Sequence, residues 1–381
     1  MKPNRIQRKI TQQKRAYKHV SKAGVLKSVG ESGRNKENPK TQKRKRNQTM
    51  NCLSSSEKMK RGAVLGLDVA KASVQAELRL PWSNGKVRFA FANEPSGFTK
   101  LEQVLAQHHC AKVHAGLEAT GPYRQQLALW LYEQDHRVSL LNPRRVKDYA
   151  RSAGARNKSD VIDAGLIADF VIAHRARCKE WQPPKAEVAQ LQGLVRRREE
   201  VCVMLLAEKN RLEASGGQVR CSLQRLITAL NEEKTCLDKL IAHQIRSHPE
   251  LARNEQLLCT IKGIGSLTAA ILLAEMVGPD QVRRARQAAA HAGLSPRREQ
   301  SGTTVRRNKG IGKQGNRHLR KALYMPALVA IKYNEPLQHF ARRLSAAGKP
   351  KMAVVCAVMR KLIHIAFGVL KHQQPFNPSL V

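Results

Sequence analysis

The stretch Ala63–Leu80 reads AVLGLDVAKASVQAELRL. Its first half is an apolar run, Val64-Leu65-Gly66-Leu67, closed by the acidic Asp68; its second, Ser73-Val74-Gln75-Ala76-Glu77-Leu78, alternates apolar and polar residues with period two. Such alternation sends successive side chains to opposite faces of a sheet, so the pair predicts a β-hairpin. Lys86–Ala92 fits a third strand, with Ser83-Asn84-Gly85 as its turn. The pattern then becomes a helix from about Ser96 to His108, a short strand Lys112–Glu118, a helix after Gly121-Pro122, a strand Arg137–Leu141 and helical sequence from Pro143 onward. Three strands followed by alternating helices and strands is the mixed-sheet pattern of an α/β domain.

Outward from that domain, assigned to residues 62–182, the character of the chain changes three times. Residues 1–61 carry nineteen basic against three acidic residues, including Lys43-Arg44-Lys45-Arg46, with almost no apolar periodicity, which predicts a disordered basic arm. Met50 and Met59 stand just before the folded part, so either an upstream start codon added this leader or it is an arm that binds nucleic acid. Residues 183–254 open on Pro183-Pro184 and continue as Leu191, Leu194, Val201, Leu205 and Leu212, break at Gly216-Gly217, and resume from Leu223 to about Ile245. These spacings predict two long amphipathic helices, a coiled-coil arm that packs on a partner helix, although Arg196-Arg197-Arg198 could also grip a nucleic-acid backbone. Residues 255–381 are expected to be mainly helical, from Leu257 to Met276, Arg317 to Tyr333 and Met352 to Leu370, around a Gly- and Arg-rich stretch Gly293–Gly315.

The 381 residues hold 69 Lys plus Arg against 29 Asp plus Glu, a formal charge of +40. A field of that sign attracts polyanions, and nucleic acid is the expected partner. No membrane association is expected, because no apolar run approaches the roughly 20 residues needed to span a bilayer and no signal-peptide pattern is present; a cytoplasmic protein follows. Eight scattered cysteines without a CxxC pair exclude a disulfide framework and a zinc-ligand cluster. With aromatics at 4% of residues, recognition through phosphates and the shape of double-stranded DNA is expected ahead of base stacking.

Phosphoryl transfer on DNA commonly uses two divalent ions about 4 Å apart, which requires carboxylates converging from separate elements. Asp68, Glu118, Asp160 and Asp163 are the candidates. Asp68 interrupts an apolar strand, where a bare carboxylate is costly without a cation, and Glu118 ends another strand. Asp160 and Asp163, at i and i+3, share a helical face behind Lys158-Ser159. Taken singly, a strand-end Asp is usually a turn former and an acidic pair at a helix start merely suits the helix dipole. Their order, first strand, later strand end, then helix, is the layout of ribonuclease-H-type metal sites.

Gly66-Leu67-Asp68-Val69-Ala70-Lys71, Glu118-Ala119-Thr120-Gly121 and Asn157-Lys158-Ser159-Asp160-Val161-Ile162-Asp163-Ala164 resemble the three acidic motifs of the DEDD transposases, insertion-sequence recombinases that use a bridge RNA and are related to the pilin-gene invertases. Ala292-Gly293-Leu294-Ser295-Pro296 and Gln300-Ser301-Gly302 resemble that family's second-domain motif, in which the serine before glycine is the nucleophile. The resemblance spans about Gly62 to Pro378. It implies that Asp68, Glu118, Asp160 and Asp163 hold Mg²⁺ in a RuvC-like fold and that Ser301 forms a transient covalent link to a DNA phosphate. It also implies a homo-oligomer, dimer or tetramer, in which the serine of one subunit meets the carboxylates of another, and a structured guide RNA that pairs with target and donor DNA.

Around Ser301, the basic residues Arg297, Arg298, Arg306, Arg307 and Lys309 could stabilise a phosphorane, although an isolated Ser-Gly among arginines is usually a solvated loop. The assisting base is open; His291 and His318 are near in sequence. Lys262-Gly263-Ile264-Gly265-Ser266 resembles a helix-hairpin-helix turn, and Gly310-Ile311-Gly312-Lys313-Gln314-Gly315-Asn316 precedes a helix in a similar way; both could admit DNA phosphate or be plain helix-ending turns. Neither is a Walker A loop. The leading expectation is an RNA-guided transposase. Its rivals are a site-specific DNA invertase without a guide RNA, a hydrolytic junction-resolving nuclease, and a non-catalytic packaging protein.

Overall fold

The computed structural model describes residues 62–81, 85–119, 121, 123–154, 160–276, 282–301, 305–312 and 314–380, with backbone alone at 160–162, 298–301, 305–309 and 380. The basic segment 1–61 and the turn residues Ser83 and Asn84 lie outside the described residues. Residues 63–80 and 85–381 form one compact unit, and the features below belong to it.

The alternation in Ala63–Leu80 becomes a hairpin of β1 (Ala63–Val69) and β2 (Ser73–Arg79), antiparallel with Leu67 opposite Ala76 and Val69 opposite Val74. β3 (Lys86–Ala92) extends it, and β4 (Val113–Glu118) and β5 (Arg137–Leu141) join on the other side as parallel strands, giving the order β3-β2-β1-β4-β5. Helix α1 (Pro95–Gln107) leads from β3 to β4, α2 (Gln125–Glu133) from β4 to β5, and α3 (Pro143–Ser152) and α4 (Asp160–Ala173) follow. One sheet face buries Leu65, Leu67, Ala115 and Leu117 against Phe98, Leu101 and Leu105 of α1 and Leu127 and Leu131 of α2. The other buries Val64 and Leu141 against Val146 of α3 and Ile167, Ala168 and Val171 of α4. A central mixed sheet with helices on both faces is the ribonuclease-H-like arrangement expected.

The contact between α4 and β1 is backbone against backbone, and that with β4 is close. A Cβ on Gly66 would lie 2.1 Å from the carbonyl oxygen of Ala164 and 2.6 Å from the amide nitrogen of Ala168, and one on Gly116 would lie 2.5 Å from Cγ2 of Val171. No other residue type fits at Gly66 without displacing the helix.

Beyond the sheet, α5 (Ala186–Ala214) and α6 (Gly217–Arg246) fold back on each other through a turn in which Gly217 has φ of 59°. Leu191, Val195, Ile241 and Ile245 pack with Leu251 of α7 (Pro249–Cys259) and Ala270 and Ala274 of α8 (Ser266–Glu275), which roots the arm in the C-terminal part. Arg196-Arg197-Arg198, considered above as a backbone grip, is engaged in ion pairs instead: Arg196 with Glu275, Arg197 with Glu200 at 3.2 Å, and Arg198 with Asp238 of α6.

The C-terminal part continues through α9 (Ala285–His291), β6 (Pro296–Ser301), β7 (Val305–Ile311), α10 (Arg317–Ala322), α11 (Tyr324–Tyr333), α12 (Glu335–Ala346) and α13 (Lys351–His372). Four features depart from expectation. The Gly- and Arg-rich stretch contains an antiparallel strand pair. The helix expected from Arg317 to Tyr333 is two helices meeting at Leu323, and α12 had no counterpart. The 22-residue α13 is, by length and composition, apolar enough to cross a membrane, contrary to the reading that no run is so long. Its Val358, Leu362, Ile363 and Ala366 are fully buried among α7, α9, α11 and α12, and this role as a core helix accounts for its apolar composition.

Gly66→Ala is expected to destabilise the protein by about 3 kcal/mol, because the added methyl meets helix backbone that cannot rotate away. Urea unfolding of the variant against the parent measures this.

Candidate active site

Register and parity place the strand carboxylates. Leu67 of β1 lies opposite Leu117 of the parallel β4, so Asp68 and Glu118 follow at the same level on strands about 4.8 Å apart. Each stands two residues beyond a glycine that faces α4, Gly66 and Gly116, and period-two alternation puts both on the α4 side.

The helix comes to meet them. Asp169 of α4 pairs with Arg79 at 3.1 Å, at the level of Val64, and Gly165 lies over Glu77, at the level of Gly66. Four helical residues advance about 6 Å and two strand residues about 6.6 Å, so the next step reaches the first turn of α4 and the level of Asp68. That turn carries Asp160 and Asp163. The fold thus gathers all four acidic positions at one edge of the sheet. Their oxygens are the hard donors that a divalent cation such as Mg²⁺ takes. Among the described residues, no three His, Cys, Asp or Glu side chains converge closely enough to hold an ion; the Asp160 side chain lies outside them.

Ser301 is the last residue of β6, opposite Val305, while Gln300 pairs with Arg306, Glu299 with Arg307 and Arg298 with Asn308. The ribbon therefore carries Arg297, Arg298, Arg306, Arg307 and Lys309 on the two strands that bear the serine. Among the described residues, β6 and β7 pack chiefly on each other, and the chain's own packing does not bring Ser301 onto β1, β4 or α4. Of the two histidines considered as bases, His318 binds Glu199 through Nδ1, with Lys321 Nζ on the same carboxylate at 2.8 Å. His291 lends its carbonyl to the Asn316 amide at 2.7 Å.

The two glycine runs divide. Gly263 has φ of 110° and lies where a Cβ would be 2.9 Å from the carbonyl oxygen of Pro326, so the approach of α11 accounts for it. Gly265 has open space around it, and with the exposed Lys262 it leaves the start of α8 accessible. In the second run Gly315 is dictated by packing, since a Cβ there would lie 2.2 Å from the carbonyl oxygen of His291, whereas Gly310 is open; Lys313 lies outside the described residues.

Residues 65–215 match a family described as Transposase, and residues 255–342 match one described as Transposase IS116/IS110/IS902 family. The pilin gene-inverting protein of Moraxella bovis is 34% identical over 321 residues, 83% of this chain and 98% of that protein. The chain belongs to the IS116/IS110/IS902 transposase family. The transposase of insertion sequence IS1328 from Yersinia enterocolitica is 25% identical over 349 residues, covering 82% of this chain and 98% of its own, and that of IS1111A from Coxiella burnetii is 26% identical over 308 residues, covering 72% and 79%. A DNA-acting recombination enzyme follows from this membership.

In this transposase two buried groups on the α4 side of the sheet escaped the sequence reading. Glu77, opposite Gly66, is fully buried beneath α4; Arg79 Nη2 lies 2.5 Å from its Oε1 and Arg88 Nε donates to Oε2 at 2.7 Å. Since Arg79 also pairs with Asp169, this chain of charges ties β2 to α4. Alternation made Glu77 look solvent-facing; only the helix covering that face buries it. His114, on the same face as Glu118, shares a hydrogen bond of 2.9 Å between Nε2 and Ser139 Oγ. Burial, aided by Arg137 and Arg175, lowers its pKa to about 4, so it is neutral at pH 7.

Glu77→Leu is expected to cost about 3 kcal/mol, because it strands guanidinium groups that the carboxylate neutralises; urea unfolding measures it. For His114 the folded pKa of about 4 lies below the ordinary 6.5, so its contribution to stability is full above 6.5 and is lost as pH falls from 6.5 towards 4. Urea midpoints across that window should fall less steeply in His114→Gln.

Proposed function

We propose that this transposase cuts and rejoins DNA strands with Asp68, Glu118, Asp160 and Asp163 as ligands for Mg²⁺ and Ser301 as nucleophile. The observation that carries this reading is the level shared by Asp68, Glu118 and the first turn of α4 at one sheet edge. Bound Mg²⁺ would stabilise charge on the scissile phosphate. The serine oxygen attacks phosphorus and gives up its proton, a DNA hydroxyl departs, and a phosphoserine ester remains. The hydroxyl of the exchanged strand reverses the step and frees the serine. Arginines on β6 and β7 offset the charge of the phosphorane.

The separate packing of the serine ribbon supports a homo-oligomer, dimer or tetramer, in which one subunit's serine serves another's carboxylates. Exposed Val203 and Leu206 of α5 with Val219 and Leu226 of α6, near the tip of the arm, support contact between copies there. Lys262 and Gly265 at the start of α8 suit a phosphate of double-stranded DNA. A structured guide RNA would supply sequence selection by base pairing with target and donor DNA. The Moraxella relative's name favours a second reading, DNA inversion, which the site-specific invertase without a guide RNA represents here. RNA that co-purifies with the protein and copies the flank of its own gene supports guidance; its absence favours inversion.

Labelled DNA carrying the ends that flank the gene, RNA transcribed from that flank and Mg²⁺ should yield a protein–DNA adduct on a denaturing gel. Ser301→Ala should abolish the adduct, and Asp68→Ala should slow its formation by about a hundredfold or more. An undiminished adduct in Ser301→Ala removes the serine from its role, and cleavage without any adduct favours hydrolysis.

A further inference from the structure

The base of the serine ribbon is held by a carboxylate that belongs to neither strand. Glu275, the last residue of α8, has a side chain with 0% exposure and accepts Arg196 Nε at 2.6 Å, Arg196 Nη2 at 3.1 Å and Asn316 Nδ2 at 2.6 Å. Asn316 is also the N-cap of α10, its Oδ1 accepting from the amides of His318 at 2.9 Å and Leu319 at 3.1 Å. Its own amide donates to the His291 carbonyl, and Gly312 donates to Ser295 at 2.8 Å, so the two chain segments entering and leaving the ribbon are laced together. From the face of α5 that bears Arg196, one turn on, Glu199 grips His318 and Lys321 of α10.

A fully buried carboxylate is costly unless every lone pair is engaged, and here the engagement runs from the arm to the ribbon. A two-stranded ribbon has little stability of its own, so its direction is set where it is rooted. Ser301 stands at the far end, where a small tilt at the base becomes a large displacement of the attacking oxygen, and nucleophilic attack tolerates little misplacement. We propose that Glu275 and Asn316 form a positioning clamp that sets the direction of the β6–β7 ribbon, and so the place of Ser301, from the helical arm. This rests on the reading of Ser301 as nucleophile.

Asn316→Ser keeps a good N-cap while removing the amide that reaches Glu275, and Arg196→Gln loosens the same carboxylate from the arm side. In the full-length protein both should speed hydrogen exchange of the 296–311 amides about tenfold or more and leave β1–β5 unchanged. In the adduct assay above, with the same DNA, RNA and Mg²⁺, both should slow adduct formation about tenfold or more while DNA affinity stays within about twofold. Unchanged exchange over 296–311 overturns the clamp. Faster exchange with adduct formation at the parental rate, or a rate loss that merely follows a loss of DNA affinity, overturns its role in placing the serine. A Ser301→Ala protein that still forms the adduct overturns the serine itself, and the exchange result keeps the two failures apart.

Discussion

The approach of α4 to β1 governs the rest of the N-terminal fold. With no side chain at Gly66, helix backbone rests on strand backbone, and a helix so seated has almost no freedom to slide or roll. Its register against the strand decides which residues of its first turn stand beside Asp68. Glu77, Arg79 and Asp169 secure that register with charge where the glycine secures it with shape. Shape alone would permit a slip along the helix; the ion pairs oppose one.

Much of this was legible in the sequence. The strands of the central sheet fell where the sequence pattern put them, β3 and β5 with both ends, because each has one face that is apolar. The long helices of the arm announced themselves through leucine spacing and a glycine break. Two kinds of feature were hidden. Glu77 follows the period-two pattern of a half-exposed strand, and no local signal tells that a helix ninety residues later will cover it. The β6–β7 ribbon has a polar sequence, Arg297-Arg298-Glu299-Gln300-Ser301 and Arg306-Arg307-Asn308-Lys309, without the apolar alternation by which strands are recognised.

At the candidate site the acidic positions were readable, but the level that Asp68 and Glu118 share with the first turn of α4 is a property of the fold. The arginine cluster on α5 shows the converse: three adjacent positive charges look like a phosphate grip in sequence, yet each has a carboxylate partner in space. Ion pairs within the arm spend their attraction on holding helices together, which keeps the arm's geometry less sensitive to the polyanion nearby.

Helix α13 has a consequence for the lifetime of a mobile gene. It supplies Val354, Val358, Met359, Leu362, Ile363, Ala366 and Phe367 to the core on which α7, α9, α10, α11 and α12 all rest. A frameshift or stop codon ahead of it would remove the central pillar of the C-terminal half, although every residue proposed for the chemistry would still be encoded upstream. Decay of a copy at its very end would thus silence it as thoroughly as loss of its chemistry.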